Sequence, residues 1–511
     1  MAKLDGQYPA LMVHHYGSYV CQTLLQVVGV TLKFGPIYKG VGDDESATAD
    51  AGVPEEEAND YTVTPLDLPS LSELFAMWCQ LLTDHWATIM SHRSGSHVVR
   101  TMLLILANKT MDQVRTLFGG KEKSVLSGQS ADGTGIPLQQ LLAPGSTPAV
   151  CLEQCAQVLA HLANCIDDNN NDNGCGSLQA LAVCPNANPV LQLVLVLQGD
   201  QKSHTDKGSL MDKVLGGFIT DPDAVNKDLV HTLVTDRIGS HLIERIFPIL
   251  PESLHYRLYV AVFRHHLADF CAHSTANYVV QELIKRTKIP THAKVIVDEL
   301  LPCLPSMLSN RYYGLLCTAV NLCATVQVRC QEMGLALFKA LEISDAKVSK
   351  SLVIPIIANL TPQSAFVKPQ KRQNQTPKNH NAKNSSSPAD AGTIHGWLIL
   401  QHMLHFPSEY ANRILNSFLA QPVETRLAWA THSSGSRLVE ALLARGRFPL
   451  KEQHRVVRGF KSQYVALVTD KLGSFIFEQC WAISSIDLKK AILLELVEYE
   501  DNLKVNYYGK I

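Results

Sequence analysis

One phrase, recurring along the chain at nearly constant intervals, constrains the fold more than any bulk property. It consists of a polar residue (His or Asp), two further residues, a small residue that is usually Gly, then Ser or Asn and an apolar stretch. Clear copies run His14–Gln22 (HHYGSYVCQ), Ser91–Arg100 (SHRSGSHVVR), Thr235–Glu244 (TDRIGSHLIE), Ala272–Gln281 (AHSTANYVVQ), Thr431–Glu440 (THSSGSRLVE) and Thr469–Glu478 (TDKLGSFIFE). From Gly239 to Ala276 is 37 residues, from Gly396 to Gly435 is 39, and from Gly435 to Gly473 is 38. On that period weaker copies come into register at Gly174, Gly314 and Gly396. The 78 residues from Gly17 to Gly95 and the 79 from Gly95 to Gly174 each predict a hidden degenerate repeat, or a repeat plus an insertion. Nine repeats are visible, and ten or eleven are expected in all.

Each unit reads as helical. Leu242, Ile243, Ile246 and Ile249 fall at helical spacing, as do Val279, Val280, Leu283 and Ile284. The Thr-Asp or Thr-His before the small residue offers an N-terminal cap, and Gly or Ala in the first turn leaves room for close helix packing. Two or three helices per 37–39 residues, each stacked on its neighbours, make an all-α fold, an α-solenoid superhelix. Repeats are expected over 1–41, 61–362 and 394–511. Between them lie an acidic disordered insertion at 42–60 and a polar basic one at 363–393, with a shorter one at 167–173 (DDNNNDN). The acidic segment holds eight Asp or Glu and no Lys or Arg; without it the formal charge moves from -2 to +6. The remainder is mildly basic.

Thirteen cysteines are an odd number with no Cys-x-x-Cys pair, in a chain too long to need staples. Reduced, mostly buried thiols are expected, and no metal site or cofactor. No signal peptide precedes the first polar residues, and apolar runs such as Met102–Ala107 are far shorter than a membrane span. A soluble, intracellular chain without membrane contact follows. Enzyme motifs are missing: Gly119-Gly120-Lys121 lacks the flanking residues of a phosphate loop, and no His-Glu-x-x-His or Gly-x-Ser-x-Gly occurs. The chain reads as non-catalytic.

A solenoid shows one helix per repeat along a continuous face. In each good copy, residues one and five places after the small residue are polar and share a helix face, with a planar side chain beside them. The sets are Ser18, Tyr19 and Gln22; Ser96, His97 and Arg100; Ser240, His241 and Glu244; Asn277, Tyr278 and Gln281; Ser436, Arg437 and Glu440; and Ser474, Phe475 and Glu478. Capping explains the His, Asp and Gly but not the Gln or Glu that follow. A paired hydrogen-bonding edge beside a stacking group suits an unstacked base in single-stranded RNA. Arg100, in place of Gln or Glu, suits a phosphate. Leu315, Leu316 and Ala319 keep no polar edge, and of Trp397, Leu398 and Gln401 only Gln401 is polar.

The phrase G-[SN]-[YHR]-V-V-[QE] resembles the RNA-contacting helix of the Pumilio (PUF) repeat family over nearly the whole chain. The resemblance implies that Asn277/Gln281 prefer uracil, Ser240/Glu244, Ser436/Glu440 and Ser474/Glu478 guanine, and Ser18/Gln22 adenine. Uneven repeats with polar insertions, HGWLILQHMLHF and SGSRLVEALLARG above all, are similar to the divergent nucleolar branch, the nucleolar protein nine family. That implies a monomer in the nucleus and nucleolus, binding precursor ribosomal RNA during small-subunit biogenesis and rRNA processing, with pre-ribosomal proteins as further partners. The chain starts within a repeat and has no basic tail, so a fragment or short isoform is expected. A protein-binding helical scaffold and a non-specific nucleic-acid binder stay open as alternatives.

Overall fold

The computed structural model describes residues 7–34, 73, 77–80, 82, 85–107, 155–162, 177–200, 202–343, 350–364 and 392–509. These residues form helices and connecting turns, with no strand among them. Contacts divide the chain into two units, Met1–Val262 and Phe263–Ile511. The first holds four repeat helices: α1 (Gly17–Phe34), α2 (Arg93–Leu106), α3 (Asn188–Asp200) and α4 (Gly239–Ile249). The second holds five: α5 (Ala276–Arg286), α6 (Tyr313–Val326), α7 (Ile394–Met403), α8 (Gly435–Leu443) and α9 (Gly473–Ile483). Within each unit these helices pack on one another in chain order. The fold is the all-α array of helical repeats that the periodicity predicts.

A short helix precedes each repeat helix and turns sharply into it. Lys227–Thr235 leads into α4, Leu267–Ala272 into α5, Val423–Ala430 into α8 and Tyr464–Thr469 into α9. In six of the nine described repeats an Asp or His side chain fixes the turn by accepting hydrogen bonds from amides at the start of the next helix, which have no helical partner of their own; α6 has no side-chain cap. Asp236 Oδ1 accepts from Ile238 N at 2.8 Å and Gly239 N at 2.7 Å. Asp470 Oδ1 does the same for Leu472 and Gly473, both at 2.8 Å. His273 Nδ1 takes the same place before α5 and His432 Nδ1 before α8. His92 and His14 repeat it in the first unit. Imidazole substitutes for carboxylate because its Nδ1 lies at a similar reach and, unprotonated, is an acceptor. The threonines before these caps play another part: Thr235, Thr431 and Thr469 each donate back to a carbonyl of the preceding helix.

Close approach of the two helices explains the small residue. A Cβ built on Gly473 would lie 2.3 Å from the Leu467 carbonyl oxygen, and one on Gly435 2.7 Å from that of Trp429. At α4 the corresponding distance is 3.2 Å, so a slightly wider turn accepts a methyl group, as Ala276 shows. The apolar stripe then closes the core. Val279, Val280, Leu283 and Ile284 are buried, as are Leu242, Ile243, Ile246 and Phe247, each worth roughly 1.5–3 kcal/mol of apolar burial.

Two features of repeat spacing differ from expectation. α1 packs directly on α2, and α2 on α3, which leaves no place for an extra repeat helix between either pair. The helix that stacks between α2 and α4 begins at Asn188, and its small residue, Ala187, lies thirteen residues after the expected Gly174. Gly174, the acidic 42–60 segment, the 167–173 run and nearly all of 363–393 lie outside the described residues. Ten free cysteines occur among the described residues, eight of them buried. Burial raises the thiol pKa of Cys317 to about 11 and of Cys480 to about 12, which keeps both in the unreactive thiol form.

Because the cap fixes the turn, Asp470→Ala is expected to lower stability by about 1 kcal/mol. Asp470→His should keep most of that stability, since histidine serves the same turn in four other repeats. Urea unfolding of the three proteins compares them, and equal losses in both variants contradict the account.

Candidate nucleic-acid interface

Rotation of each repeat helix, set by the turn before it, decides which residues face outward. The residue after the small one is turned inward: Ser18, Ser96, Ser240, Asn277, Ser436 and Ser474 are all buried. Their polar groups mostly bond to the turn itself. Ser18 Oγ donates to His15 O, Ser96 Oγ to Arg93 O and Ser474 Oγ to Lys471 O, at 2.9–3.1 Å. Asn277 Nδ2 donates to Ser274 O at 2.7 Å and to His273 O at 3.0 Å. Ser240 Oγ is buried without a hydrogen-bond partner among the described residues. Expected as half of an open polar pair, this position instead sits at the floor of the face.

The next residue projects fully. Tyr19 is 62 % exposed, Tyr278 58 % and Phe475 55 %, and His97, His241 and Arg437 are exposed at the equivalent place. Tyrosine and phenylalanine left half in water form platforms rather than core, most plainly on α5, where Val279, Val280, Leu283 and Ile284 are all buried. Beside them stand Gln22, Arg100, Glu244, Gln281, Gln401 and Glu440, half-buried, and the exposed Glu478. Several are held from within their own helix. Arg437 pairs with Glu440 at 3.0 Å and His241 with Glu244 at 3.4 Å. Gln281 Nε2 donates to Asn277 Oδ1 at 3.3 Å, Gln22 Nε2 to Ser18 O, and Gln401 Nε2 to Trp397 O. Solvated ion pairs of this kind add little stability, but they set side-chain direction.

Arg100 meets His97 Nδ1 at 2.8 Å and donates through Nε to Ser96 O at 3.3 Å. Burial, with Arg100 and Arg93 nearby, holds His97 below the ordinary imidazole pKa. Burial also lowers the Arg100 guanidinium from its usual value. The pair presents a neutral ring next to a cation.

Two repeats differ from their sequence reading. In α6, Leu315, Leu316 and Ala319 are fully buried, and the open stripe is Gly314, Thr318 and Asn321. By burial pattern Tyr313, Gly314 and Cys317 occupy the positions of Asn277, Tyr278 and Gln281, so the register of this copy is shifted by two residues. Gly314 is thus not the small residue of the turn; it replaces the platform. A Cβ there would lie 3.0 Å from Gln281 Oε1, so its absence leaves that oxygen uncovered. In α7, Trp397 is buried edge-on against Trp429 at 5.8 Å, and Leu398 stands at the platform position, 36 % exposed.

The α3 repeat supplies a set that the sequence reading passed over: Ala187 as the small residue, then Asn188, Pro189 and Gln192. Asn188 is buried and donates to Ala182 O at 2.6 Å and Ile238 O at 3.1 Å. Gln192 Nε2 donates to its Oδ1 at 2.6 Å, the same arrangement as Asn277 and Gln281. The run NPVLQ carries the Asn-to-Gln spacing, and an out-of-period position concealed it. Among the described residues no group of three or more His, Cys, Asp or Glu gathers to hold a metal ion, and no helix is long and apolar enough to cross a membrane.

A model of the NOP9-like PUF repeat domain matches residues 1–511. Relatives include Nucleolar protein 9 of Trichophyton verrucosum (strain HKI 0517), 24% identical over 525 residues, covering 99% of this chain and 68% of the relative. Nucleolar protein 9 of Aspergillus oryzae (strain ATCC 42149 / RIB 40) is 24% identical over 521 residues, covering 99% and 69%. Among solved structures, that of APUM23-GGAGUUGACGG aligns with a TM-score of 0.69 over 98% of this chain and 81% of that one, at 21% sequence identity. At that identity the likeness is one of fold.

The His97–Arg100 pair gives a titration that can be followed by NMR. Removing the cation in Arg100→Ala relieves repulsion of the imidazolium, so the His97 pKa is expected to rise toward its ordinary value. A fall, or no movement, contradicts the assigned pairing.

Proposed function

The chain belongs to the NOP9-like PUF repeat family, and from its helix faces we propose that it binds single-stranded RNA without catalysing a reaction. One observation carries the reading: six of the nine described repeat helices expose a planar side chain next to a Gln, Glu or Arg. Tyr19, His97 and His241 do so in the first unit, and Tyr278, Arg437 and Phe475 in the second. Unstacked bases need a flat platform and a polar edge beside it. A protein ligand would have no need of the same pairing in six repeats.

The second unit adds positive charge. From Arg437 to Lys471 eight Lys or Arg face three acids, and Arg445, Lys451, Arg458, Lys461 and Lys471 are exposed. Such a surface suits phosphates. The face is nonetheless uneven, since α6 and α7 lack a planar platform and α3 has a proline there. A few read bases with shape and charge between them fit a folded precursor RNA better than a long linear motif. Relatives named Nucleolar protein 9 support the nucleolus, within the nucleus, as the place of action. Small-subunit ribosome biogenesis with precursor ribosomal RNA, as a monomer among pre-ribosomal proteins, is the role we assign.

Binding to a random single-stranded RNA pool, against duplex DNA and over a salt series, tests the reading. The RNA should be preferred. Tyr278→Ala and Phe475→Ala should each weaken binding by about 1–3 kcal/mol with little change in melting midpoint, because both rings are solvent-exposed. Equal binding by both variants, or no preference for RNA, overturns it and favours a scaffold that holds protein.

A further inference from the structure

Arg245 is the one arginine at its position among the repeat helices. The equivalent residues are Thr23, Thr101, Glu282, Thr318, His402, Ala441 and Gln479 in α1, α2 and α5 to α9. From α4 it reaches the neighbouring helix α3 and donates through Nε to Gln192 Oε1 at 3.1 Å. Gln192 in turn donates to Asn188 Oδ1, and Asn188 to Ile238 O in the turn before α4. The result is a chain of hydrogen bonds that leaves one repeat and returns to the other.

We infer that Arg245 is a positioning residue that makes Gln192 favour bases whose ring nitrogen accepts a hydrogen bond. The inference rests on the single-stranded RNA reading. Its basis is a contrast between two repeats with the same Asn and Gln. In both, each Asn donates through Nδ2 to two backbone carbonyls and accepts from its Gln. Both Asn side chains are therefore engaged, and the Gln amide is the group that meets a base. On α5, no hydrogen bond engages Gln281 Oε1 among the described residues, and Gly314 leaves that oxygen uncovered. Gln281 can accept from the ring N–H of uracil or guanine. On α3, the guanidinium already donates to Gln192 Oε1, and its charge repels a second N–H donor. What Gln192 offers is its remaining Nε2 hydrogen, which suits N1 of adenine or N3 of cytosine. The same two residue types thus present opposite edges, and the neighbouring repeat decides which.

Selection from a random-sequence single-stranded RNA pool, using the full chain, tests this directly. Gln192→Ala identifies the nucleotide it governs by flattening preference there. At that nucleotide the unmodified chain should favour adenine or cytosine over uracil and guanine by roughly 3- to 10-fold, the ratio one hydrogen bond supplies. Arg245→Met should abolish or reverse that preference. The reciprocal variant, Thr318→Arg, places a guanidinium on α6 where it can reach Gln281. It should move the nucleotide marked by Gln281→Ala toward adenine or cytosine, so the test does not depend on how well Arg245→Met folds. Unchanged preferences in Arg245→Met and Thr318→Arg overturn the inference. So does a selected sequence in which Gln281→Ala alters one nucleotide and Gln192→Ala alters none, while the RNA reading survives. If the unmodified chain enriches no RNA, that reading fails and this inference falls with it.

Discussion

The tight turn into the repeat helix, capped by a side chain in six of the nine described repeats through Asp or His, is the interaction on which the rest depends. An Asp or His acceptor ties down the first amides of the repeat helix, and a small residue lets that helix start against the carbonyl end of its predecessor. Together they set the helix's rotation about its own axis. Once rotation is set, the Val, Leu and Ile stripe can only point into the core, and the platform residue can only point out. A turn that opened by one residue would carry Tyr278 toward the interior and bring apolar side chains to the surface. The site is therefore a consequence of the cap, although no capping atom belongs to it.

Much of this was legible in the sequence because the turn requires specific residue types. His or Asp three places before Gly, followed by an apolar helical stripe, names the cap, the close approach and the core in one phrase. Tyr19, Tyr278 and Phe475 could be placed on the exposed face from spacing alone. The errors came from treating glycine as a single signal. Gly435 is small because a carbonyl lies against it, whereas Gly314 stands at an open platform position beside Gln281. Both fell on the period, and only burial separates them. Likewise Asn188 escaped notice because an insertion moved its repeat off the period, and periodicity cannot see past an insertion.

The polar pair on each helix was legible in kind but not in depth. Spacing puts the residues of a pair on one helix side, yet it does not say that the first lies in the floor, bonded to the turn. Ser18, Ser96, Ser474 and Asn277 all bond to carbonyls within four residues, and this follows from their place in the first helical turn. The groups above them, Gln22, Gln281, Glu244 and Glu440, stand nearer the solvent. Chemical variety on the face arises from what each neighbour does to that outer group: a guanidinium on Gln192, an adjacent cation at Glu440, an uncovered oxygen on Gln281.

RNA, on this reading, lies along the exposed side of the repeat helices. Photo-crosslinking of bound single-stranded RNA containing 4-thiouridine, followed by mass spectrometry of the attached peptides, examines it most directly. The account predicts crosslinks on the peptides carrying Tyr19, Tyr278 and Phe475. Crosslinks confined to helices behind the repeat helices, such as Cys330–Ala340 or Ile486–Val497, would contradict it.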